Sequence, residues 1–284
     1  MLQKLYNPVL QKELKLRFRF FKSITGMLFY LSALIIFVVG FLYIVQTENS
    51  SGYMRPSESF ILFIMLSMLQ MALVLFITPG LTAGAISSER EKQTLNMLLM
   101  TTQSSTQIVI GKLTSSIAFL ALLIVAGLPI YSIVFLFGGV SPMQLITTFV
   151  FYFVAMLAIG SIGIFFSIVI KRTITSVIAT YSTMVFLGGF TAFFFFISML
   201  VSQMGAYNSG TPPTPFAPFA YFWASINPGA LVLSILYSDI GQGLEDVTGI
   251  SLPIWIPYLI FYLGITALML FLSIKKLRVN MKRG

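Results

Sequence analysis

The sequence predicts an all-α fold: a polytopic membrane protein with six transmembrane helices. Of its 284 residues, 57% are apolar and only 9% are charged, whereas soluble domains carry about 25% charged residues. The second observation is a set of uncharged apolar runs, each long enough to cross a bilayer as a helix at about 1.5 Å per residue. Because backbone groups in lipid must bond internally, each run is interpreted as a helix. The runs are residues 24–45, 60–85, 113–137, 145–170, 174–200 and 252–274.

Missing residue types exclude several classes of chemistry. The sequence has no cysteine and no histidine, which excludes disulfides, thiol nucleophiles, Cys/His zinc sites and histidine acid–base catalysis. No run contains Asp, Glu, Lys or Arg, whereas ion-coupled carriers usually need ionisable groups at membrane depth. The spans therefore carry no reactive groups of their own. We expect them to move during function, with the energy supplied by a component outside the bilayer.

Lysine and arginine define the orientation of the transmembrane domain, residues 24–274. Sixteen of the 17 basic residues fall on one side of the membrane, and only Arg55 falls on the other. The positive-inside rule places both termini in the cytoplasm, and we expect a multi-pass protein of the bacterial cytoplasmic (inner) membrane. The net charge of +9 then reflects topology and anionic lipid, not nucleic acid. The first run is too long for a signal peptide and is expected to remain as a span.

Residues 1–23 are predicted to form a cytoplasmic amphipathic helix, which begins with an N-cap and a proline at Asn7-Pro8. At about 100° per residue, four basic side chains share one face of this helix. They are Lys12, Lys15, Arg19 and Lys22. The face suits the anionic surface of the cytoplasmic leaflet. A lipid anchor and a partner contact both agree with the pattern. Residues 275–284 form a basic cytoplasmic tail.

Two glycine pairs predict close contacts between helices. Gly80 and Gly84 have GxxxG spacing after Pro79, which removes one helical hydrogen bond. Packing within the bundle is favoured for this pair over a subunit interface. Gly160 and Gly163 lie in Gly-Ser-Ile-Gly, which we interpret as small residues at a helix contact and not as a nucleophile elbow.

Residues 88–101 lie between the second and third runs and join a charged half to an apolar half. Ser88 and Glu91 have the S-x-x-E spacing of a capping box, so we predict a cytoplasmic helix from Ser88 to about Met100. Three leucines form a ridge on this helix: Leu95, Leu98 and Leu99. One interpretation is an interfacial helix on the lipid surface. The other is a docking knob whose leucines fill a groove on a cytoplasmic partner, with charges around the rim.

Residues 87–112, SSEREKQTLNMLLMTTQSSTQIVIGK, resemble the signature of type-2 ABC transporter permeases. The family pattern is roughly E-x-x-x-G-T-L-E-x-L-L-x-T-P, followed by a polar stretch and by G-K at the start of the third span. The matching residues are Glu89, Thr94, Leu95, Leu98, Leu99, Thr101, Gly111 and Lys112. Gln93 stands in place of the glycine, Asn96 of the glutamate and Thr102 of the proline. The six-span layout and the long external loop extend the resemblance over most of the chain.

The resemblance implies that residues 88–101 are the coupling helix of a permease, resting in a groove on a separate ABC ATPase subunit. The docking residues would be Ser88, Glu89, Arg90, Glu91, Lys92, Thr94, Leu95, Leu98 and Leu99. ATP and Mg²⁺ would be bound by that partner, because this chain lacks the P-loop pattern G-x-x-x-x-G-K-[ST] and is expected to bind no cofactor. Six helices form half of a symmetric pathway, so a second permease copy or a paralogue is expected. The implied direction is export.

Residues 201–251 form the predicted external loop, which begins rich in proline and becomes apolar. Asn227-Pro228-Gly229 interrupts the apolar stretch 217–237, and a full crossing there would place the basic tail outside. Two half-helices that re-enter from outside satisfy both constraints. They form either a hydrophobic lid or, as the resemblance favours, an outer gate. The gate residues would be Phe219, Tyr221, Phe222, Trp223, Asn227 and Pro228.

Two further function classes compete with an ATP-driven permease. A passive channel or membrane scaffold would need no ATPase, although a pore should carry polar rings that these spans lack. An intramembrane enzyme is disfavoured by the missing histidines, cysteines and buried acids. For a permease, the uncharged spans and 15% aromatic residues favour an amphipathic substrate such as a lipid, a peptide or a drug.

Overall fold

The computed structural model describes residues 21–48, 54–95, 104–209, 217–237, 248 and 250–281. Within these ranges no strand occurs, which confirms the predicted all-α fold. The helices are α1 (Phe21–Glu48), α2 (Pro56–Thr82), α3 (Ser87–Glu91), α4 (Ser105–Phe137), α5 (Pro142–Val169), α6 (Thr173–Val185), α7 (Thr191–Ser209), α8 (Ala217–Ile226), α9 (Pro228–Leu236) and α10 (Trp255–Met281).

Six helical stretches in the described part of the chain are long and apolar enough to cross a membrane. They are α1, α2 continued through α3 to residue 91, α4, α5, the combined α6–α7 and α10, and each overlaps one predicted run. Lys12, Lys15 and Arg19 of the predicted amphipathic helix lie outside the described residues, whereas Lys22 lies in the first turn of α1. The six-span architecture is therefore confirmed.

Short capping motifs determine where α4 and α5 begin. The Gln107 N–H donates to the Ser104 hydroxyl at 3.2 Å, and the Ser104 N–H donates to the Gln107 side chain at 3.0 Å. Ser141 and Gln144 repeat this box at the start of α5. Each box satisfies two helix N–H groups that otherwise lack partners. As a result α4 begins at residue 105 and not near residue 113, so Lys112 lies within a helix and not in a loop.

The central helix is α5, which contacts α2, α4, α6 and α10. The main core lies where α1, α2, α4 and α5 meet, with Leu34, Leu62 and Leu120 almost fully buried. Lipid tails are as apolar as leucine, so close van der Waals contact stabilises this core more than transfer from water does. Between α2 and α5, a Cβ added at Gly163 would overlap the Thr82 hydroxyl. The predicted helix contact at Gly160 and Gly163 is therefore confirmed.

The other glycine pair packs within the chain, as favoured by the sequence. A Cβ at Gly80 would lie 3.3 Å from the Tyr181 hydroxyl, and one at Gly84 would lie 3.3 Å from the Thr173 methyl group. Both neighbours belong to α6, so this GxxxG pair lets α2 and α6 approach each other. Helix α2 continues through Pro79 to Thr82.

The fifth span contains an irregular segment, and α8 and α9 face it. Residues Phe186–Phe190 form a π-helical turn between α6 and α7. Helices α8 and α9 are bent by 98° at their junction, as expected from the Asn-Pro-Gly interruption. The re-entrant path of this pair from the external side stays a prediction.

Candidate functional site

Helix α3 has five residues and ends in a Schellman motif. The Thr94 N–H donates to the Glu89 carbonyl at 2.9 Å, and the Gln93 N–H donates to the Arg90 carbonyl at 3.0 Å. Gln93 has a φ of 58°, in the left-handed region that glycine adopts without strain. This is the position at which the type-2 permease pattern carries glycine. The chain therefore makes the turn of that pattern with a residue less suited to it.

The predicted capping box and uninterrupted helix are wrong. Helix α3 starts at residue 87 and ends at residue 91, and residues 96–100 lie outside the described part. The Ser88 N–H and hydroxyl both donate to the Gly84 carbonyl, at 3.1 Å and 2.5 Å. Helical bonds thus continue from the end of α2 into α3, and the Ser88 N–H already has a partner. The Glu91 carboxylate instead accepts hydrogen bonds from Thr173.

Glu89 joins α3 to α4 through an ion pair with Lys112. The Lys112 Nζ donates to Glu89 Oε1 at 2.6 Å, and the two side chains are 5% and 25% exposed. The small exposure limits screening by salt, so this contact is stronger than a surface ion pair. The sequence indicated Lys112 only as the end of the G-K motif.

Arg90 joins α3 to the C-terminal end of α5. Its Nη2 donates to the Ile168 carbonyl at 3.0 Å, and its Nη1 lies 3.4 Å from the Ile170 carbonyl. The last carbonyls of a helix have no partner in that helix, and the helix dipole makes them attractive to a cation. The guanidinium therefore caps the C-terminal end of the fourth span.

Glu91 joins α3 to the N-terminal end of α6. Its carboxylate accepts from the Thr173 N–H and from the Thr173 hydroxyl, both at 2.8 Å. These hydrogen bonds, with nearby Arg172, hold the pKa of the Glu91 carboxyl below its ordinary value. The contact is therefore present at neutral pH and is lost as the pH falls through that lowered pKa.

Two serines, which the sequence analysis did not single out, hold the backbone that leads into α3. The Ser167 hydroxyl accepts from the N–H groups of Ile86 and Ser87, at 2.8 Å and 2.9 Å. The Ser176 hydroxyl donates to the Ala83 carbonyl at 2.7 Å. Serines in apolar runs carry no pattern that reveals such contacts, so only the fold locates them.

The predicted leucine ridge is described only at Leu95. This side chain is 8% exposed and packs in an apolar cluster with Ile86, Ile108 and Leu277. Leu98 and Leu99 lie outside the described residues. Lys92 and Thr94 are exposed, and the described part of the chain offers the Lys92 side chain no hydrogen bond. Glu91 is exposed as well, although its carboxylate is bonded to Thr173, so Glu91, Lys92 and Thr94 are the described docking candidates that lie on the surface.

At the other end of the bundle, the predicted gate aromatics lie along α8. Phe219 and Phe222 are mostly exposed, whereas Trp223 stacks on Phe194 of α7 with ring centroids 4.9 Å apart. The Tyr221 hydroxyl donates to a backbone carbonyl just before α10 at 2.8 Å. A depression of about 340 Å³ is lined by Pro218, Phe219, Phe222 and Trp223. These aromatic faces suit an apolar group, and nothing in their contacts selects a particular substrate.

Asn227 forms the junction between α8 and α9 and is 5% exposed. Its Oδ1 accepts from the Ala230 N–H at 2.9 Å, which caps α9, and Pro228 occupies the first helical position. Its Nδ2 donates to the Gly188 carbonyl at 2.7 Å and to the Thr191 hydroxyl at 2.8 Å. One amide therefore connects the half-helices to the π-helical turn.

No group of three or more acidic residues that could hold a metal ion occurs among the described residues. Glu89, Arg90 and Glu91 at α3 form one ion pair and two helix-end contacts, and these contacts join α3 to neighbouring helices.

A comparison with protein families matches residues 77–280 to the model described as ABC-2 family transporter protein. The match covers the site at α3, the last four spans and the α8–α9 pair. No curated protein is similar enough to be matched to this chain. The family match extends over well more than half of the sequence, and it agrees with the six-span architecture and with the charged segment after the second span. The chain belongs to the ABC-2 transporter family and is a multi-pass membrane subunit of an ABC transporter.

Proposed function

We propose that this chain is the permease of an ABC exporter that moves an amphipathic substrate, such as a lipid, a peptide or a drug. ATP and Mg²⁺ bind to a separate ATPase subunit. The observation that supports this proposal is that the segment at α3 is joined to the third, fourth and fifth spans by side-chain contacts. A segment anchored in this way can pass a displacement from a cytoplasmic partner to the bundle.

The docking surface in this proposal is the outward side of residues 88–101. Glu89, Arg90 and Glu91 have partners inside the chain, and Leu95 is buried. Lys92 and Thr94 are exposed, and Leu98 and Leu99 continue the same segment. A polar rim beside apolar centres suits a groove on a partner protein.

A second permease copy or a paralogue completes the transporter in this proposal. In α1, the α6–α7 span and α10, 17% of the membrane-spanning window is buried, against 67% in α5. Large apolar faces on three spans are therefore available for lipid or for another permease. The proposed location is the bacterial cytoplasmic membrane with both termini in the cytoplasm, supported by the basic residues on that side.

Copurification with the ATPase tests the docking surface. We expect Leu98→Asp with Leu99→Asp to abolish recovery of a P-loop ATPase with the affinity-tagged permease, because charge would enter an apolar groove. The matched control, Leu98→Met with Leu99→Met, keeps apolar side chains and should retain the ATPase. A wild-type permease that purifies without any ATPase, and whose transport does not depend on ATP, would reject the proposal in favour of a passive channel or scaffold.

The external aromatics carry the proposed substrate contact. Phe219→Ala with Phe222→Ala removes two mostly exposed rings and should lower substrate-stimulated ATP hydrolysis without altering copurification. Proteoliposomes of the complex, screened with lipids, peptides and hydrophobic drugs, identify the stimulating class. If substrate stimulation is unchanged in this variant, the half-helices form a hydrophobic lid and do not contact the substrate.

A further inference from the structure

The order of charges in α3 matches the order of the spans they hold. Glu89 pairs with Lys112 of α4, Arg90 donates to the end of α5, and Glu91 accepts from the start of α6. Three consecutive residues thus reach three consecutive spans. These contacts attach the segment to the bundle at three points.

The signs of these charges also match the helix ends. A cation at a helix C-terminus and an anion at a helix N-terminus are both favourable. Arg90 and Glu91 meet these two ends on either side of the turn at residues 170–172. Exchanging the two charges would place each beside the end that repels it.

Neutral contacts prevent the segment from moving alone. Ser167 of α5 and Ser176 of α6 bind the backbone that leads into α3. Ile86 is fully buried in the apolar cluster that also includes Leu277 of α10. A force applied at residue 92 is therefore resisted by ionic, hydrogen-bonding and packing contacts together.

From these observations we infer that Glu89, Arg90 and Glu91 form a transmission clasp. The clasp makes the cytoplasmic ends of the third, fourth and fifth spans move with the coupling segment as one body. The three charges are positioning residues that act within the permease, and they do not bind the ATPase. This inference rests on the proposed function, because it assumes that an ATPase displaces the segment.

The absence of cysteine from the whole sequence permits a direct test by spin labelling. Gln93→Cys and Lys171→Cys place nitroxide labels at two exposed sites outside the predicted docking residues, one on the segment and one on the turn that the clasp holds. Labelled chains are diluted with unlabelled chains so that only distances within one permease are measured. The distance between the two nitroxides is measured by pulsed electron paramagnetic resonance in the permease–ATPase complex. It is measured without nucleotide and after trapping with ATP, Mg²⁺ and vanadate.

We expect the labelled permease, otherwise wild type, to give the same distance in both states. Arg90→Gln with Glu91→Gln should retain the ATPase but show a nucleotide-dependent shift, because the segment then moves without the turn. The control Lys275→Gln removes an exposed cytoplasmic charge outside the clasp and should behave like the wild type. A shift in the wild type, an unshifted double variant, or loss of the ATPase from the double variant would overturn the inference.

A charge exchange gives a second measurement that does not depend on the first variant. Glu89→Lys alone should lose vanadate-sensitive ATP hydrolysis by the complex while keeping the ATPase bound. Glu89→Lys with Lys112→Glu should restore hydrolysis, since the pair is re-formed with opposite polarity. Failure of the exchange to restore hydrolysis would overturn the inference. A wild-type permease that binds no ATPase would reject the proposed function itself.

Discussion

At the α3 end of the bundle, charged side chains connect α3 to three spans, whereas at the α8–α9 end the connections are uncharged. Glu89, Arg90 and Glu91 form ion pairs or helix caps. The α8–α9 pair is held by the Asn227 amide and by aromatic stacking of Trp223. Both ends join separate helices, but they use different chemistry.

The difference indicates which end resists displacement. Charge-assisted hydrogen bonds are about twice as strong as neutral ones and fix both distance and direction. Stacked rings lack such directional bonds, and the exposed faces of Phe219 and Phe222 leave room for a guest. We therefore expect the α3 end to transmit force and the α8–α9 end to adapt its shape.

The largest expected loss of stability comes from breaking the buried ion pair. Glu89→Gln removes the carboxylate partner of Lys112, whose side chain is 5% exposed, and should lower the free energy of unfolding by about 3 kcal/mol. Lys112→Met should cost less, because the remaining carboxylate is 25% exposed and reaches water. Unfolding in mixed micelles measures both, and equal, small effects would contradict a buried pair.

Close packing between α2 and α5 is tested at Gly163. Gly163→Ala would place a methyl group on the Thr82 hydroxyl and force α2 and α5 apart, at a cost of about 2 kcal/mol. Gly188→Ala is the matched control in the π-helical turn, where no atom outside the local helix backbone lies within 4 Å of the added Cβ. Thermal unfolding of both variants makes the comparison. A destabilisation at residue 188 as large as that at residue 163 would contradict the packing difference.

Two substitutions of Asn227 distinguish its hydrogen bonds to the π-helical turn from its role as the N-cap of α9. Serine is an equally good N-cap but cannot reach Gly188, so Asn227→Ser should cost about 1 kcal/mol. Asn227→Ala also removes the cap and should cost about 1 kcal/mol more. If serine restores full stability in thermal unfolding, the amide does not hold the π-helical turn.

The smallest effect is expected at Gln93. Gln93→Gly relieves the left-handed backbone at φ 58°, but glycine also increases the entropy of the unfolded chain. The two terms nearly cancel, so the free energy of unfolding should change by less than about 1 kcal/mol. Gln93→Val should be destabilising, because a β-branched residue is strained in this conformation. A stabilising valine in the same unfolding assay would exclude the Schellman turn.

Hydropathy and turn signals were sufficient for the architecture. The six spans follow from long apolar runs, and the bend between α8 and α9 follows from Asn227-Pro228-Gly229. These features are local, because a bilayer requires helices and a proline interrupts them wherever they pack. The capping boxes at Ser104 and Ser141 are equally local, and including them would have placed the start of α4 correctly.

The contacts of α3 could be found only with long-range information. The S-x-x-E motif at Ser88 predicted a helix start, but the end of α2 already supplied the backbone bonds that the motif would satisfy. Arg90 and the Ile168 carbonyl are far apart in sequence, and no pattern in one sequence relates them. Glu89, Arg90 and Glu91, which the sequence assigned to a partner surface, are therefore engaged within the chain.

The π-helical turn at Phe186–Phe190 determines how the residues that follow it in the fifth span are rotated about the helix axis. A π-bulge accommodates one extra residue, and a single residue corresponds to about 100° of helical rotation. Removing one glycine from this turn would swing Phe194 off the indole of Trp223 and aim Thr191 away from Asn227. The direction in which the aromatic side chains of α7 face therefore depends on one extra residue in this turn.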